Sequence, residues 1–241
     1  MKELVAIVLL VAGVSQLGLG QTETEAAPTA PATAATSGDA TNAPVKPDIK
    51  ELIQEPSFTN NTGMLMIKIS PTLWAGKYEV TQDEYQKITG GNPSRFPGGA
   101  HPVDSVSWND AINFCRSLTE QEKSEEMLPE GFAYSLATQS QWESLVAGTP
   151  LTQAVTSERS SRAGTAMVGS LDENGIGLCD LRGNVWEFCL DPLDKPYRVL
   201  RGAGWNTFYE PNLRLEFRWY ANGPDDRKEY YGFRCVLVPK K

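Results

Sequence analysis

Only one histidine, His101, occurs in the 241 residues, so no metal centre built mainly from imidazoles can be assembled. Lysine and arginine number 22 against 30 aspartates and glutamates, a net charge of −8. That balance excludes a protein that grips nucleic acid by neutralising phosphates with a basic face. No apolar run reaches the roughly 20 residues that a bilayer-spanning helix needs. Cysteine is sparse as well: Cys115, Cys179, Cys189 and Cys235, with none between the last two. That gap removes thiol chemistry from the segment richest in aromatic side chains.

The N-terminus carries Leu4–Val14, a short apolar run behind Lys2, with Gly18 and Gly20 at a small-residue cleavage pair before Gln21. The pattern is that of a secretory signal peptide over residues 1–20, with an uncleaved anchor as the alternative. The expectation is a secreted or periplasmic chain with no stable transmembrane span once the leader is gone. No cysteine follows the run to carry a lipid. Residues 21–49 are rich in Ala, Thr, Pro and Glu and hold no aromatic side chain. Such a stretch cannot bury enough apolar surface to offset its ordering entropy, and reads as a disordered linker. Residues 50–241 are long enough for one domain with a core. Four cysteines in an oxidising compartment allow two disulfides in three connectivities, and spacing does not choose among them.

Within the domain, 64–69 and 76–80 read as strands. Thr81-Gln-Asp-Glu84, Ser107-Trp-Asn-Asp110 and Thr138-Gln-Ser-Gln141 each place a hydroxyl at a helix start and an acid or amide three residues on. That spacing lets both side chains satisfy orphan amides. After the second cap, Ala111, Phe114, Cys115 and Leu118 fall on one helical stripe. Beyond residue 150, Gly, Pro, Asn and Asp interrupt any helical period. Strands are expected at 197–200 and 230–238, where Tyr231, Phe233, Cys235 and Leu237 alternate. Helices early and strands late give an α+β fold.

Four blocks then stand in order: "GKYEVTQDEYQKITGGNPSRFPGGAHPVDSVSWNDAINFC" (76–115), "YSLATQSQWE" (134–143), "NGIGLCDLRGNVWEF" (174–188) and "YRVLRGAGW…GFRCV" (197–236). Together they resemble the formylglycine-generating enzyme, or sulfatase-modifying factor, family. The resemblance covers about 64–238 and implies an irregular α+β domain related to C-type lectins, with low regular secondary structure. Family enzymes use a cysteine pair after the RGGS-type strand to bind copper and activate oxygen. Matched on the glycines, that pair falls at Thr207 and Asn212. Hydroxyl and amide oxygens are not soft Cu(I) ligands and not redox thiols. The expectation is therefore a module that does not make formylglycine from cysteine and binds a peptide, protein or glycan. The alternative is an oxidoreductase of this family acting by a variant mechanism. A branch with histidine-bound iron is excluded by the lone His101, which reads as a loop residue before Pro102.

The resemblance also implies a structural calcium held by the Asp180 and Glu187 carboxylates and the Gly183 and Val185 carbonyls. Carboxylates and turn carbonyls suit that hard ion; the competing reading pairs Glu187 with Arg201 or Arg234. It further implies a Cys115–Cys235 disulfide, with Cys179 and Cys189 paired or left as buried thiols. Residues 201–233 hold nine aromatic side chains. A similar layout occurs in the variable binding proteins of diversity-generating retroelements. Trp205, Asn206, Thr207, Tyr209, Asn212, Trp219 and Tyr220 are thus the candidate ligand contacts, against the reading that these rings fill a core.

Overall fold

The computed structural model describes residues 54–146, 148–157, 163–192 and 194–240. The expected leader and linker lie outside them. Within them, three helices and two antiparallel-rich sheets give the α+β class. The first sheet is assembled from β1 (Ser57–Thr59), β2 (Leu65–Ser70), β3 (Leu73–Gly76), β4 (Phe132–Leu136) and β9 (Cys235–Pro239), in the order β1-β2-β3-β9-β4. The second contains β5 (Trp186–Pro192), β6 (Arg198–Arg201), β7 (Trp219–Ala221) and β8 (Tyr231–Gly232), in the order β7-β6-β5-β8.

Helices α1 (Gln82–Thr89), α2 (Trp108–Ser124) and α3 (Gln139–Val146) begin where the capping residues stand. Thr81 and Ser107 each accept a backbone N–H while Glu84 and Asp110 reach back to the cap amide. Thr138 and Gln141 exchange the same pair of bonds at the start of α3. Gly90, at φ 78°, ends α1 in the left-handed conformation that glycine adopts without strain. The α2 stripe is buried throughout. Phe114 stacks on Tyr85 of α1 at 5.5 Å and meets Phe233 edge-on at 5.4 Å. Burial of each such ring is worth roughly 1.5–3 kcal/mol.

Two strand expectations need correction. Residues 77–80 are not a strand: β3 ends at Gly76, and the next carbonyls turn toward a buried guanidinium. The alternating run 230–238 is divided. Tyr231–Gly232 pairs in parallel with β5, whereas Cys235–Pro239 enters the other sheet between β3 and β4. The chain crosses from sheet to sheet at Phe233-Arg234, both buried. Alternation survives the crossing because both sheets bury one side of this segment against the same core, so the period alone does not show the break.

Beside α2 and β4 lies a polar cluster that nothing in the sequence announced. Glu122 accepts the Tyr134 hydroxyl at 2.8 Å, Asn60 donates to that hydroxyl, and Glu122 Oε1 is buried without a partner. Burial pushes the Glu122 carboxyl up to about 7. The folded state therefore keeps a proton that the unfolded chain has released by pH 5. This group's contribution is complete below its unfolded value and is lost as pH rises through about 7. Glu122→Gln is expected to raise stability at pH 8 by roughly 2 kcal/mol and to flatten the fall in melting temperature between pH 5 and 8. An unchanged profile would show that Glu122 is ionised in the fold.

Candidate functional site

The stretch Cys179–Cys189 bends by means of unusual backbone. Asp180, Gly183 and Asn184 have φ of 61°, 86° and 60°. Gly183 lies so close to Val155 that a Cβ there would stand 2.2 Å from the Val155 carbonyl oxygen; no other residue fits without moving that segment. Asn184 accepts the Ala166 N–H and donates to Glu79, whose other oxygen takes the Val185 N–H. Glu79 is thereby tied to the turn although it comes a hundred residues earlier.

Arg234 sits at the centre. Its guanidinium donates to Glu187 through Nε and Nη2, to the Gly76 and Lys77 carbonyls through Nη1, and to the Cys179 carbonyl through Nη2. All five N–H donors of an arginine are thus used. The second Glu187 oxygen also accepts the Trp142 indole at 2.9 Å. Burial raises the Glu79 carboxyl well above its usual range, assisted by Asp180 and Glu187, and raises Asp180 to about 6.

The residues expected to hold calcium do not fit it as they stand. Glu187 is spent on Arg234 and Trp142. Asp180 Oδ2 accepts the Gly169 N–H, leaving only the buried Oδ1 without a partner. Among the described residues, no three acidic, cysteine or histidine side chains converge on a point suited to a metal ion. A guanidinium already supplies the positive charge to the Glu187 carboxylate and three carbonyls, and a dication beside it would be repelled. Of the two arginines weighed from sequence, Arg234 makes the pair at 2.8 Å. Arg201 instead bonds Glu143 and the Leu215 carbonyl over the Trp142 ring.

The ring-rich segment opens a cavity of about 240 Å³ lined by Trp186, Asn206, Thr207, Phe208, Tyr209, Asn212, Trp219 and Tyr230. Thr207 and Asn212 stand in its wall together, as the match on the glycines placed them. The Thr207 hydroxyl accepts the Gly204 N–H, and the Thr207 N–H donates to the Gly204 carbonyl, closing a turn. Asn212 sits in a 3₁₀ turn, Glu210–Leu213. No cysteine lines the cavity; all four are buried, none joined to another in this structure. The donor set at Thr207 and Asn212, a hydroxyl and an amide, does not fit Cu(I).

Two expected contacts lie elsewhere. Trp205 turns away, packs edge-on against Phe96 and gives its indole N–H to the Glu229 carbonyl. Tyr220 is on the opposite face of β7, against Tyr197. Three lining residues were not singled out from sequence: Trp186, Phe208 and Tyr230. Trp186 carried a signal, since alternation along β5 from Glu187, which points to the hub, sends it to the other side.

A calcium titration separates a proton-and-guanidinium hub from a metal-supported one. Melting temperature is expected to be equal in calcium and in chelator. Asp180→Asn is expected to hold or raise it at pH 8, since Asp180 titrates near 6 and ionises at a cost above that. Arg234→Ala is expected to cost about 3–5 kcal/mol, as for any broken buried ion pair. A calcium-dependent rise, abolished by Asp180→Asn, would restore the metal.

The comparisons follow the geometry. A family model described as the sulfatase-modifying factor enzyme 1-like domain matches residues 54–238. The chain is 28% identical over 211 residues to the chaperone protein LppX of Paenibacillus barcinonensis, covering 62% of this chain and 75% of that one. It is 30% identical over 179 residues to the formylglycine-generating enzyme of Streptomyces coelicolor, covering 56% of this chain and 52% of the relative. It spans 48% of the mouse inactive C-alpha-formylglycine-generating enzyme 2, at 28% identity over 154 residues and 56% of its own length. Among solved structures, PvdO from Pseudomonas aeruginosa superposes with a TM-score of 0.62 at 20% identity, covering 76% of this chain and 99% of PvdO. Variable protein 1 of Treponema denticola gives 0.61 at 21% identity, covering 76% and 94%. The chain belongs to the sulfatase-modifying factor family.

Proposed function

We propose that the protein is an exported binding module of this family, noncatalytic for cysteine-to-formylglycine conversion, that presents the Thr207–Asn212 cavity to a peptide, protein or glycan. One observation carries the reading. The cavity wall where a thiol pair is expected offers a buried hydroxyl already engaged in a turn and a carboxamide, between aromatic rings. Neither group can cycle between thiol and disulfide or ligate Cu(I) as thiolate. The exposed rings support recognition: Phe208 and Tyr209 are 80% and 60% exposed at the rim, and Trp219 is 40% exposed. Large exposed aromatics are where binding surfaces concentrate their affinity. Two of the relatives support the reading by name, one a chaperone and one an inactive enzyme of the family, while another is named a formylglycine-generating enzyme. No described helix is long and apolar enough to cross a membrane.

Export implies oxidation. The Cys115 and Cys235 sulfurs are 3.6 Å apart in the core, and burial raises the Cys235 thiol well above its usual range. We propose that they form a disulfide in the oxidising compartment, before folding closes the core. A bond closing so long a loop is worth roughly 4–5 kcal/mol in the chain-entropy model. Protein recovered from the secreted or periplasmic fraction is expected to show two titratable thiols on denaturation, at Cys179 and Cys189, and Cys115→Ser is expected to show three, the third at Cys235. Peptide mapping that finds Cys115 and Cys235 both alkylated without reduction rejects the bond.

The functional test is an aerobic incubation of the purified domain with Cu(I) and a Cys-x-Pro-x-Arg peptide, read by mass spectrometry beside an active family enzyme. No aldehyde is expected. Conversion would mean that the reaction proceeds without the expected pair and would remove the reading.

A further inference from the structure

We propose that the ligand of this cavity is an uncharged oligosaccharide, one ring of which enters between the aromatic walls. The inference rests on the reading of the cavity as a binding site and adds the chemical class. Three features of the walls select it. First, among the described residues no charged side chain lines the cavity; Glu210 and Arg218 adjoin it in sequence but are not among its walls. A phosphate, a sialic acid or a charged side chain would enter without a counter-charge, at a large desolvation cost. Second, the side-chain amides of Asn206 and Asn212 make no hydrogen bond within the described chain. Each offers a donor pair and an acceptor to an incoming group, and adjacent hydroxyls on a sugar ring match that pairing. Third, the remaining walls are ring faces. They are Trp186, Phe208, Tyr209, Trp219 and Tyr230, with Trp219 tilted against Trp186 at 6.1 Å. The apolar C–H face of a pyranose packs on such faces while its hydroxyls keep polar partners, which is the division of apolar body and polar rim found here.

The volume agrees. A cavity of about 240 Å³ holds one hexose ring with water and no folded partner. A chain of further residues would run out over Phe208 and Tyr209 on one side, or across β7 toward Tyr220 and Tyr197, 5.1 Å apart and both exposed. An extended peptide is served less well. β7 is the edge of its sheet and would be the strand to pair with, but it has only three residues. The amide that follows, Asn222 N–H, is already held by Asp226. Little ladder remains to hold a backbone.

The test is an array of neutral oligosaccharides covering α- and β-linked glucose, mannose, galactose and N-acetylglucosamine, with hexagalacturonate and a decapeptide library beside it. Hits are titrated by tryptophan fluorescence. At least one neutral saccharide is expected to bind, at least tenfold more tightly than hexagalacturonate, with a tenfold or greater loss in Trp219→Ala and in Asn212→Ala. Glu120→Ala, remote on α2, is expected to leave binding unchanged. Trp219 also packs on Trp186, so Asn212→Ala, at a partly exposed position, is the variant that answers if Trp219→Ala fails to fold. Peptide binding that depends on Asn212 and Trp219, with no neutral saccharide bound, overturns the saccharide assignment and leaves the binding site standing. Equal binding of hexagalacturonate overturns the argument from charge. No binding from any arm that either variant weakens overturns both the class and the site.

Discussion

A single guanidinium joins what the sequence keeps far apart. Arg234 is the point at which the end of β3, the turn before β5 and the start of β9 meet, and its partners are three carbonyls and one carboxylate. The Gly76 carbonyl ends β3 and the Cys179 carbonyl lies in the turn before β5, while the Lys77 carbonyl also accepts the Cys179 N–H; a buried carbonyl left without a donor costs about 1–3 kcal/mol. The ion pair with Glu187 contributes little on balance, because two buried charges surrender their hydration. Its effect is one of specification: only one arrangement of the two sheets satisfies all five donors. Trp142 from α3 and Glu79 from the approach to α1 complete the enclosure, so every layer of the domain is registered on this hub.

The cavity depends on the hub at one remove. Glu187 faces Arg234, and its neighbour Trp186 faces the other way to form the cavity wall. Gly183 and Gly202 bring the two turns together through the Gly183 N–H on the Gly202 carbonyl, and the Trp205 N–H bonds the Asn184 carbonyl. The loop carrying Asn206 and Thr207 is therefore hung from the rigid turn, while the rings at its rim extend into solvent. A fixed floor with an exposed, loop-borne rim is how one fold can serve different ligands by changing the rim alone.

Much of this was legible in the residues. Helix starts were readable because a hydroxyl followed three residues later by Glu, Asp or Gln has a local cause. The α2 face was readable because Ala111, Phe114, Cys115 and Leu118 repeat at the helical period. The resemblance put Thr207 and Asn212 at the places of the family's cysteine pair, and both line one cavity. Less was legible where the cause is long-range. Residues 77–80 look like strand, and only the arginine 157 residues later draws the Lys77 carbonyl out of the ladder. Whether Glu187 meets a metal or an arginine depends on packing no local pattern encodes. Trp205 and Tyr220 share composition with the true wall residues, and only the path of the turn and the side of β7 separate them. The Glu122–Tyr134–Asn60 cluster spans 74 residues and leaves no trace in spacing.

The crossing at Phe233-Arg234 sets an order of events for the newborn polypeptide. β9 is an inner strand of its sheet, flanked by β3 and β4, yet it is made after both. A ribosome-held intermediate ending before Phe233 has a gap where that strand belongs and no cation for the Glu187 carboxylate. Pairings across such separations form late, since loop closure must precede any gain from contact. The first sheet consequently stays open between β3 and β4 until β9 emerges.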